Sequence, residues 1–473
     1  MEPLVITRVA GEVVPIIGFE VWQIGALHCR SFFEFDDEWV DQIFFPAIER
    51  NHGLETLIIQ FFPTPLMTSD SYFSLFKRLL DPLRSLTTLY LAMRYGIEHK
   101  AFVYVAGFSK QLQRLHLTFA SIIFDGETDE QYRIDTLGIK PTQLKQFELD
   151  FTLPPMVELH LIPILEASPE LETLLIPTFE SASTERIASV LGQCCPKSRD
   201  LVHYQMGSKL TDGDIAEIIG SCRASGLRSF CMTSGRHAAG LQVMRRLCAN
   251  YATLVKIRVD LEGLEPFKFV QELLASCPNL RRLHVEERVP GNTTGRFAVR
   301  EILRKPWVCT NLESFSIPLA GIYGIIEGEE NESQGKDYHR DLYTQLAKLA
   351  RLQELSVGFL LCYERMCKTS PRFSLKSGLE ILEGLKELRS LTLHYMVNDT
   401  QRQELEWMCE HWSKLTRIDG INLEIAESWW DFERDQTGKK VTLMPKRIRE
   451  MLIKGEVPYH GPNKYDFDSD ELY

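Results

Sequence analysis

Short polar motifs and cysteines are the residues of this chain that could carry chemistry. His339 to Leu342 reads HRDL, a phosphoryl-transfer motif whose aspartate accepts the proton of a substrate hydroxyl. That chemistry also needs a glycine-rich phosphate loop, a strand lysine and a metal-binding Asp-Phe-Gly, and the sequence contains none of them. GxSxG, HExxH and GxxxxGK[ST] are also missing, so we predict no catalytic, cofactor-binding or metal-binding residues.

Eleven cysteines occur without a CxxC pair, although a zinc site would need several ligands at close spacing. Cys195, Cys277 and Cys309 each precede a leucine-rich segment by three residues, which favours burial at one repeated turn position. For the vicinal pair Cys194 and Cys195, structural burial is favoured over a redox function. His203 replaces an apolar residue, and we interpret it as a hydrogen-bonded core histidine rather than a ligand.

Composition limits the classes of protein that remain. The chain has 473 residues, of which 44% are hydrophobic and 25% charged, which is typical of a folded domain. A formal net charge of -12 argues against a protein that coats nucleic acid. No apolar run approaches the roughly 18 residues of a membrane helix, and no secretion signal is evident. We therefore expect an intracellular protein, cytoplasmic or nuclear, with reduced cysteines and no membrane or nucleic-acid partner.

A hydrophobic pattern recurs along the chain at intervals of roughly 30 residues. Its template is LRRLHV at Leu280, with apolar residues at the first, fourth and sixth positions. Such periodicity indicates a stacked repeat architecture. Thirteen copies, of which those at Ser198 and Leu415 are the weakest, begin at Leu54, Leu86, Leu112, Leu144, Leu171, Ser198, Leu227, Leu254, Leu280, Leu312, Leu352, Leu388 and Leu415.

A pattern of helical spacing precedes these strand-like segments. Before Leu280, residues Phe269, Leu273, Leu274 and Cys277 could share one helical face, and the following proline would end that helix. Helices are likewise predicted in 184–196, 213–222, 240–250, 341–350, 379–388 and 402–412. One helix and one strand cannot bury their own apolar faces, so neighbouring units must stack. The predicted fold class is α/β.

The repeated LxxLxL strand after a helix, with Cys or Asn in the turn, resembles the ribonuclease-inhibitor-like class of leucine-rich repeats. The irregular spacing and the CPxL-type junctions are similar to the leucine-rich-repeat region of fungal F-box proteins. The resemblance covers about three quarters of the chain. It implies a curved horseshoe-shaped solenoid with a parallel sheet on the concave face and helices on the convex face. Its motif is specific for fold and weak for function.

The resemblance is incomplete before the first repeat. The Leu-Pro-x-Glu opening of an F-box is not found ahead of Leu54. Two interpretations follow: an F-box has been lost or trimmed from the N-terminus, or the chain binds by its repeats alone.

Template geometry predicts which side chains face away from the core. The fifth position should face outward on the concave sheet, and with strands about 4.8 Å apart the row would span on the order of 60 Å. That length suits a protein ligand better than a metabolite. The row comprises Ile58, Tyr90, His116, Glu148, Leu175, Val202, Cys231, Arg258, His284, Ser316, Ser356, Thr392 and Asp419.

This row is predicted to be a binding surface. An apolar run of Leu175, Val202 and Cys231 precedes a basic group, with Asp260 and Glu286 beside it. The basic group consists of Lys256, Arg258, Arg282 and His284. An apolar anchor with a charged rim is typical of interfaces. The alternative is a solvated sheet face without a partner. The predicted partner-binding residues are Tyr90, His116, Leu175, Val202, Lys256, Arg258, Arg282 and His284.

Insertions and ends depart from the repeat. Residues 118–140, 318–338 and 358–373 follow strands and should decorate one rim as functional or disordered loops. The acidic stretch at Glu327, Glu329, Glu330 and Glu332 is interpreted as a solvated hairpin or disordered tip.

Four segments are predicted from these departures. They are an N-terminal cap or degenerate first repeat (1–53, with a strand near Phe19 to Ile24), the solenoid (54–420), a C-terminal cap sealed by Trp429, Trp430 and Phe432 (421–459), and an acidic mobile tail (460–473).

The function expected from these features is a non-enzymatic, monomeric module that binds a protein partner. The family resemblance implies substrate recognition for ubiquitin ligation, with the cullin-ligase adaptor as a candidate partner. An inhibitor or scaffold similar to the ribonuclease inhibitor, without a ligase link, is the alternative. The opposing class is an enzyme whose pocket forms where residues 318–338 fold over the sheet.

Overall fold

A computed structural model provides the coordinates of the protein. It describes residues 4–8, 26–31, 45–61, 69–93, 97–119, 122–123, 142–150, 157–176, 183–205, 210–222, 226–234, 239–261, 266–287, 299–319, 332–357, 372–393, 400, 402–419, 433–434 and 440–441. The chain divides into two compact units, Met1–Glu262 and Gly263–Tyr473.

Strands of unit 1 form a parallel sheet in chain order. In the part of this unit that the structure describes, the order is β1 (Leu4–Arg8), β2 (Ala26–Ser31), β3 (Thr56–Phe61), β4 (Thr88–Met93), β6 (Arg114–Thr118), β8 (Gln146–Asp150), β9 (Thr173–Ile176), β10 (Asp200–Gln205), β11 (Ser229–Ser234) and β12 (Lys256–Leu261). A separate parallel pair joins β5 (Ile97–Glu98) to β7 (Ile122–Ile123).

Helices alternate with these strands. They are α1 (Phe45–Arg50), α2 (Ser69–Leu80), α3 (His99–Gly107), α4 (Val157–Glu166), α5 (Thr184–Cys194), α6 (Asp212–Ser221) and α7 (Leu241–Cys248), with a 3₁₀ turn at Phe108–Gln111. Apolar residues of the helices and the inward residues of the strands are buried together, so the core of unit 1 lies between the two layers.

Unit 2 repeats this arrangement of helices and parallel strands. It contains α8 (Pro266–Ser276), β13 (Arg282–Glu287), α9 (Val299–Ile302), β14 (Ser314–Ile317), α10 (Glu332–Leu346), β15 (Glu354–Val357), 3₁₀ segments at Leu375–Ser377 and Leu379–Gly384, β16 (Ser390–Thr392), α11 (Arg402–His411) and β17 (Arg417–Asp419). Strands β13 to β17 pair in parallel in chain order, and β18 (Glu433–Arg434) pairs antiparallel with β19 (Lys440–Val441).

The strand register follows the sequence template. The fourth template position is aligned strand by strand, through Leu57, Leu89, Leu115, Phe147, Leu174, Leu201, Phe230 and Ile257 in unit 1 and through Leu283, Phe315, Leu355, Leu391 and Ile418 in unit 2. All of these residues are buried. A slip of one residue would turn each of them to the opposite face. The predicted parallel strand-and-helix array is confirmed within each unit, and it is consistent with a leucine-rich-repeat-like solenoid.

The turn before each strand is built in the same way in several repeats. The backbone N–H at the first template position donates to the carbonyl three residues earlier, at 3.0 Å from Ser198 to Cys195, 3.3 Å from Leu280 to Cys277 and 3.1 Å from Leu312 to Cys309. The three cysteine side chains are at most 2% exposed. Their predicted placement at one equivalent, buried turn position is confirmed.

One predicted helix is instead a 3₁₀ segment, at Leu379–Gly384. Gly378 interrupts the chain just before it in a left-handed conformation, with φ of +96°. Leu379 and Leu382 of this segment are buried at an interval of three residues, and the spacing continues through buried Leu385 and Leu388 in the turn that follows. A 3₁₀ helix has three residues per turn, so it places residues of this spacing on one face, whereas an α-helix would rotate them away.

The predicted strand near Phe19 to Ile24 lies outside the described residues. The parallel ladder continues before β3 through two other segments, because Leu27 of β2 pairs with Leu57 and Leu4 of β1 pairs with Leu27. Most of the three predicted insertions, the sealing aromatic residues Trp429, Trp430 and Phe432, and the acidic tail also fall outside the described residues. Glu332, assigned to an acidic loop tip, is the first residue of α10.

Helices of adjacent repeats are joined by a side-chain cap. Thr211 and Asp214 form a capping box at the start of α6. Asp212, one residue into the helix, reaches the next repeat, where its carboxylate accepts hydrogen bonds from the backbone N–H groups of Gly240 (2.8 Å), Gln242 (2.7 Å) and Val243 (3.2 Å). These are donors at the first turn of α7 that its own backbone cannot satisfy. One carboxylate thus fixes the stacking of two helices.

We expect Asp212→Ala to destabilise the protein by about 1–2 kcal/mol, because it removes the acceptor for these helix N-terminal donors. Gly240→Ala should have a similar effect, since a Cβ at Gly240 would lie 2.6 Å from Asp212 Cγ. Thermal unfolding by circular dichroism measures both variants. Glu217→Gln, on an exposed position of α6, serves as the control. An Asp212→Ala protein with the wild-type melting temperature would contradict the cap.

Candidate partner-binding surface

The fifth template position forms a row in each unit, as the sequence predicts. In unit 1 the ladder pairs Ile58 with Tyr90 and continues one strand at a time to Arg258 on β12. The backbone register continues to β2 and β1, where His28 pairs with Ile58 and Val5 pairs with His28. In unit 2 the row runs from His284 on β13 to Asp419 on β17. From Ile58 onward, the residues of the row lie on the sheet face opposite the aligned, inward-facing apolar residues.

A network of aromatic and polar side chains occupies the row on β4, β6 and β8. The rings of Tyr90 and His116 are stacked, with centroids 4.2 Å apart and an interplanar angle of 13°. His116 Nδ1 makes a short hydrogen bond with Glu148, and its Nε2 lies 2.8 Å from Thr118 Oγ1. Gln146 Nε2 donates to the other oxygen of Glu148 at 2.5 Å. Every polar end of the imidazole therefore has a partner, and the ring is held in one orientation.

The electrostatics of this network favour an ionised carboxylate. The hydrogen bond from His116 is the main cause that lowers the pKa of Glu148, and the bond from Gln146 acts in the same direction, while burial opposes both. Glu148 and His116 are both about one fifth exposed, at 21% and 22% of their side-chain area. The result is a rigid, partly exposed patch that combines an aromatic face with a negative charge. The sequence predicted Tyr90 and His116 for the surface but not their mutual contact.

Most of the predicted apolar run, Leu175, Val202 and Cys231, is buried. Leu175 is 1% exposed and Cys231 is 7% exposed, and only Val202 is half-buried. Leu175 lies in register between Glu148 and Val202, and these same-face neighbours about 4.8 Å away on either side reduce its accessible area. Leu175 and Cys231 are therefore not available as an exposed apolar anchor, which corrects the expectation from the sequence.

The predicted basic group belongs to two units. Lys256 and Arg258 lie exposed on β12 in unit 1. On β13 in unit 2, Arg282 is exposed and His284 is half-buried. Asp260, placed beside the group by the sequence, is fully buried. The Glu286 side chain lies outside the described part of the chain.

Charged residues at the second and third template positions add to the unit 1 surface, and they were not predicted from the sequence. Arg199 forms an ion pair with Glu172 of the preceding repeat. Asp200, beside Arg199, is half-buried, and burial is the main cause that raises the pKa of its carboxyl, against the opposing effect of Arg228, Arg199 and Lys256. The template could have indicated this cluster, because the third position faces outward like the fifth.

Small polar residues dominate the row in unit 2. Ser316, Ser356 and Thr392 are half-buried. At the last strand, Arg417 Nε forms an ion pair with Asp419 at 2.6 Å, and Thr392 Oγ1 lies 3.5 Å from the same carboxylate oxygen. Among its described residues, this surface lacks an aromatic stack like the partly exposed one of unit 1.

The residues that suggested other chemistry have structural contacts. His339 of the HRDL motif is buried in α10, where its Nε2 accepts the backbone N–H of Arg372 at 3.0 Å. Tyr343, one turn later, donates to the carbonyl of Arg372. Only the backbone of His203 is described, within β10. The described residues contain no group of three or more His, Cys, Asp or Glu positioned to hold a metal ion. Across the same residues, no helix has both the length and the apolar character needed to span a membrane.

Comparison with known proteins adds no assignment, because neither a protein-family model nor a curated protein matches the sequence. The class of the protein therefore follows from its own repeat: an α/β array of leucine-rich-repeat-like units with an outward sheet face in each compact unit.

We expect Glu148→Gln to lower stability at neutral pH by about 1 kcal/mol, because it removes a charge-assisted hydrogen bond. A lowered folded-state pKa contributes stability that is present above the unfolded value of 4.5 and is lost as the pH falls through the folded value. The difference between wild type and variant should therefore shrink below pH 4.5. Melting temperatures from pH 7 to pH 3 measure this, with exposed Glu217→Gln as the control. A difference that does not depend on pH would contradict the ionised pair.

Thiol reactivity provides a further test of the junction cysteines. Burial raises the pKa of Cys195 to about 12 and that of Cys309 to about 12. Since the thiolate is the reactive form, we expect these residues to be alkylated at least tenfold more slowly than half-buried Cys194 in the native protein at pH 8. Mass spectrometry of iodoacetamide-treated protein gives each rate. Equal rates at Cys194 and Cys195 would exclude the buried turn position.

Proposed function

We propose that this chain is a non-enzymatic protein-interaction module that binds a protein partner through the outward face of its parallel sheet. The observation that carries the proposal is the in-register outward row of unit 1, which combines a fixed aromatic and polar network with exposed cations. Ten strands spaced about 4.8 Å apart give this face a length of about 43 Å. A face of that length fits a protein surface rather than a small metabolite.

Pre-organisation supports binding at the aromatic network. The ring of Tyr90 is stacked, and the imidazole of His116 is hydrogen-bonded at both nitrogens, so both side chains lose little rotamer freedom when a partner binds. Side chains that are ordered in the free protein reduce the entropic cost of association. Tyrosine is also enriched among residues that dominate binding energies. We therefore place the strongest contact of unit 1 at β4 and β6.

The proposal includes a cellular setting that rests on the family resemblance. A ribonuclease-inhibitor-like repeat region similar to that of F-box proteins suggests substrate recognition for ubiquitin ligation in the cytoplasm or nucleus, with the cullin-ligase adaptor as a further partner. The alternative is an inhibitor or scaffold without a ligase link. Affinity purification from cells that express the chain, probed for adaptor and cullin, separates the two. Recovery of a partner without adaptor or cullin would support the alternative.

Charge reversal tests the outward face of each unit separately. We expect Arg258→Glu in unit 1 or Arg282→Glu in unit 2 to reduce partner recovery about tenfold without a change in melting temperature, because exposed cations are placed to contact the partner and not the core. Quantitative mass spectrometry of the purified complexes measures recovery.

The matched controls are Arg84→Glu in unit 1 and Arg351→Glu in unit 2, both exposed in turns that precede a strand. They change the net charge by the same amount away from the row. Unchanged recovery with both Arg258→Glu and Arg282→Glu would eliminate these cations as contacts. Losses equal to those of the control variants would show that net charge, not the outward face, determines recovery.

A further inference from the structure

Residues 372–375 of unit 2, which we call the strap, are attached to two neighbouring helices by side chains. The strap leads into the first 3₁₀ segment of the unit, Leu375–Ser377. From α10, His339 Nε2 accepts the backbone N–H of Arg372 at 3.0 Å, and Tyr343 Oη donates to the carbonyl of the same residue. The side chains of His339 and Tyr343 are both buried. One helix thus binds both backbone polar groups of Arg372.

The start of α11 binds the rest of the strap. Thr400 Oγ1, two residues before this helix, donates to the carbonyl of Phe373 at 3.1 Å, and Glu404 Oε1 accepts the N–H of Leu375 at 3.2 Å. The ring of Phe373 packs edge-on against Tyr343, with centroids 5.5 Å apart. A buried backbone group that loses its partner carries a desolvation cost. The loss of one side-chain acceptor should therefore loosen the strap.

His339 is the side chain at the strap whose hydrogen bond requires one protonation state. Its Nε2 can accept the N–H of Arg372 only through a free lone pair, so the imidazole is neutral in this arrangement. A protonated imidazole carries N–H groups on both nitrogens, and its Nε2–H would face the N–H of Arg372. Protonation of His339 therefore breaks this hydrogen bond.

We infer that His339 makes the strap an acid-sensitive switch, attached to α10 when the imidazole is neutral and released when it is protonated. The released form takes up the proton more readily than the attached form does. Attachment is therefore fully favoured above the ordinary imidazole pKa of about 6.5 and is lost as the pH falls below it. Release uncovers the ring of Phe373, which is buried in the attached form. The switch is a property of the chain alone and does not depend on the proposed partner.

Other ionisable groups at the strap respond differently to acid. Burial raises the pKa of Tyr343, so its hydroxyl remains a donor throughout the acid range. The charge of Glu380 acts on Tyr343, and Glu380 also pairs with Arg340 at 3.9 Å. Arginine keeps its charge at every pH of interest, which applies to Arg340 and Arg372. Glu404 is the group that could add an acid response of its own, so the experiment must separate it from His339.

Hydrogen–deuterium exchange of the full chain at pH 7.5 and pH 5.0, read by mass spectrometry, tests the switch. Protection factors, which correct for the intrinsic pH dependence of exchange, are compared for each segment. We expect the protection of the Arg372 and Leu375 amides to fall about tenfold at pH 5.0, because this pH lies about 1.5 units below the ordinary imidazole pKa. The amide of Leu391 in β16 should keep its protection within about twofold.

Three variants assign the response. His339→Gln supplies an amide oxygen that accepts an N–H at either pH, so the protection of the strap should no longer change with pH. Glu404→Gln retains an acceptor oxygen but does not titrate, and it should keep the wild-type response. His411→Gln is the matched control on α11. His411 Nδ1 donates to the carbonyl of Trp407 at 2.9 Å, a hydrogen bond that protonation does not break, so this variant should also respond like the wild type.

Protection of the strap that is equal at the two pH values in the wild-type protein would overturn the inference. So would a pH response that persists in His339→Gln or disappears in Glu404→Gln. An equal loss of protection at Leu391 would show that acid unfolds unit 2 as a whole, which also excludes a local switch. Tyr343→Phe gives a second test that leaves the imidazole in place: we expect lower protection of the strap at pH 7.5, and wild-type protection there would contradict its attachment to α10.

Discussion

The parallel ladder register is the constraint on which the rest of this structure depends. Side chains on a strand alternate between two faces, so alignment of Leu89 with Leu115, or of Leu283 with Phe315, fixes the face of every neighbouring residue. Burial of the aligned positions removes apolar area from water in each repeat, and a slipped register would expose it again. The outward rows are therefore a consequence of how the inward residues pack.

Because the apolar template lies within one repeat, the sequence predicted the parallel strand-and-helix array. The apolar template, the preceding helices and the buried Cys195, Cys277 and Cys309 all depend on residues within one repeat. At Leu379–Gly384 the apolar pattern predicts an α-helix, whereas the structure has a 3₁₀ segment. The signals for it in the sequence are Gly378 and the three-residue spacing of the leucines from Leu379 to Leu388.

The surface was less predictable, because exposure depends on the neighbouring strands. Leu175 is buried where residues one strand away flank it, and no pattern inside its own repeat reports on them. The same limit applied to the ion pair of Arg199 and Glu172, which joins residues 27 positions apart. The stack of Tyr90 on His116 likewise forms across two repeats. Each of these contacts joins two repeats, so its partner can be identified only when the register of the neighbouring strands is known.

Contacts between repeats also explain why the outward face can differ from the core that supports it. The carboxylate of Asp212 caps the helix of the next repeat, 28 residues away at Gly240. The side-chain oxygen of Asn250 accepts a hydrogen bond from the backbone N–H of Leu227 in the preceding repeat, and the thiol of Cys195 donates one to the carbonyl of Leu165. Stability in such an array comes from adjacent pairs of repeats. An outward residue such as Lys256 makes no comparable contribution to the core. Its residue type can therefore vary to match a partner without a loss of stability. The repeat therefore specifies where a partner can bind, whereas the identity of that partner depends on the residues that the repeat leaves variable.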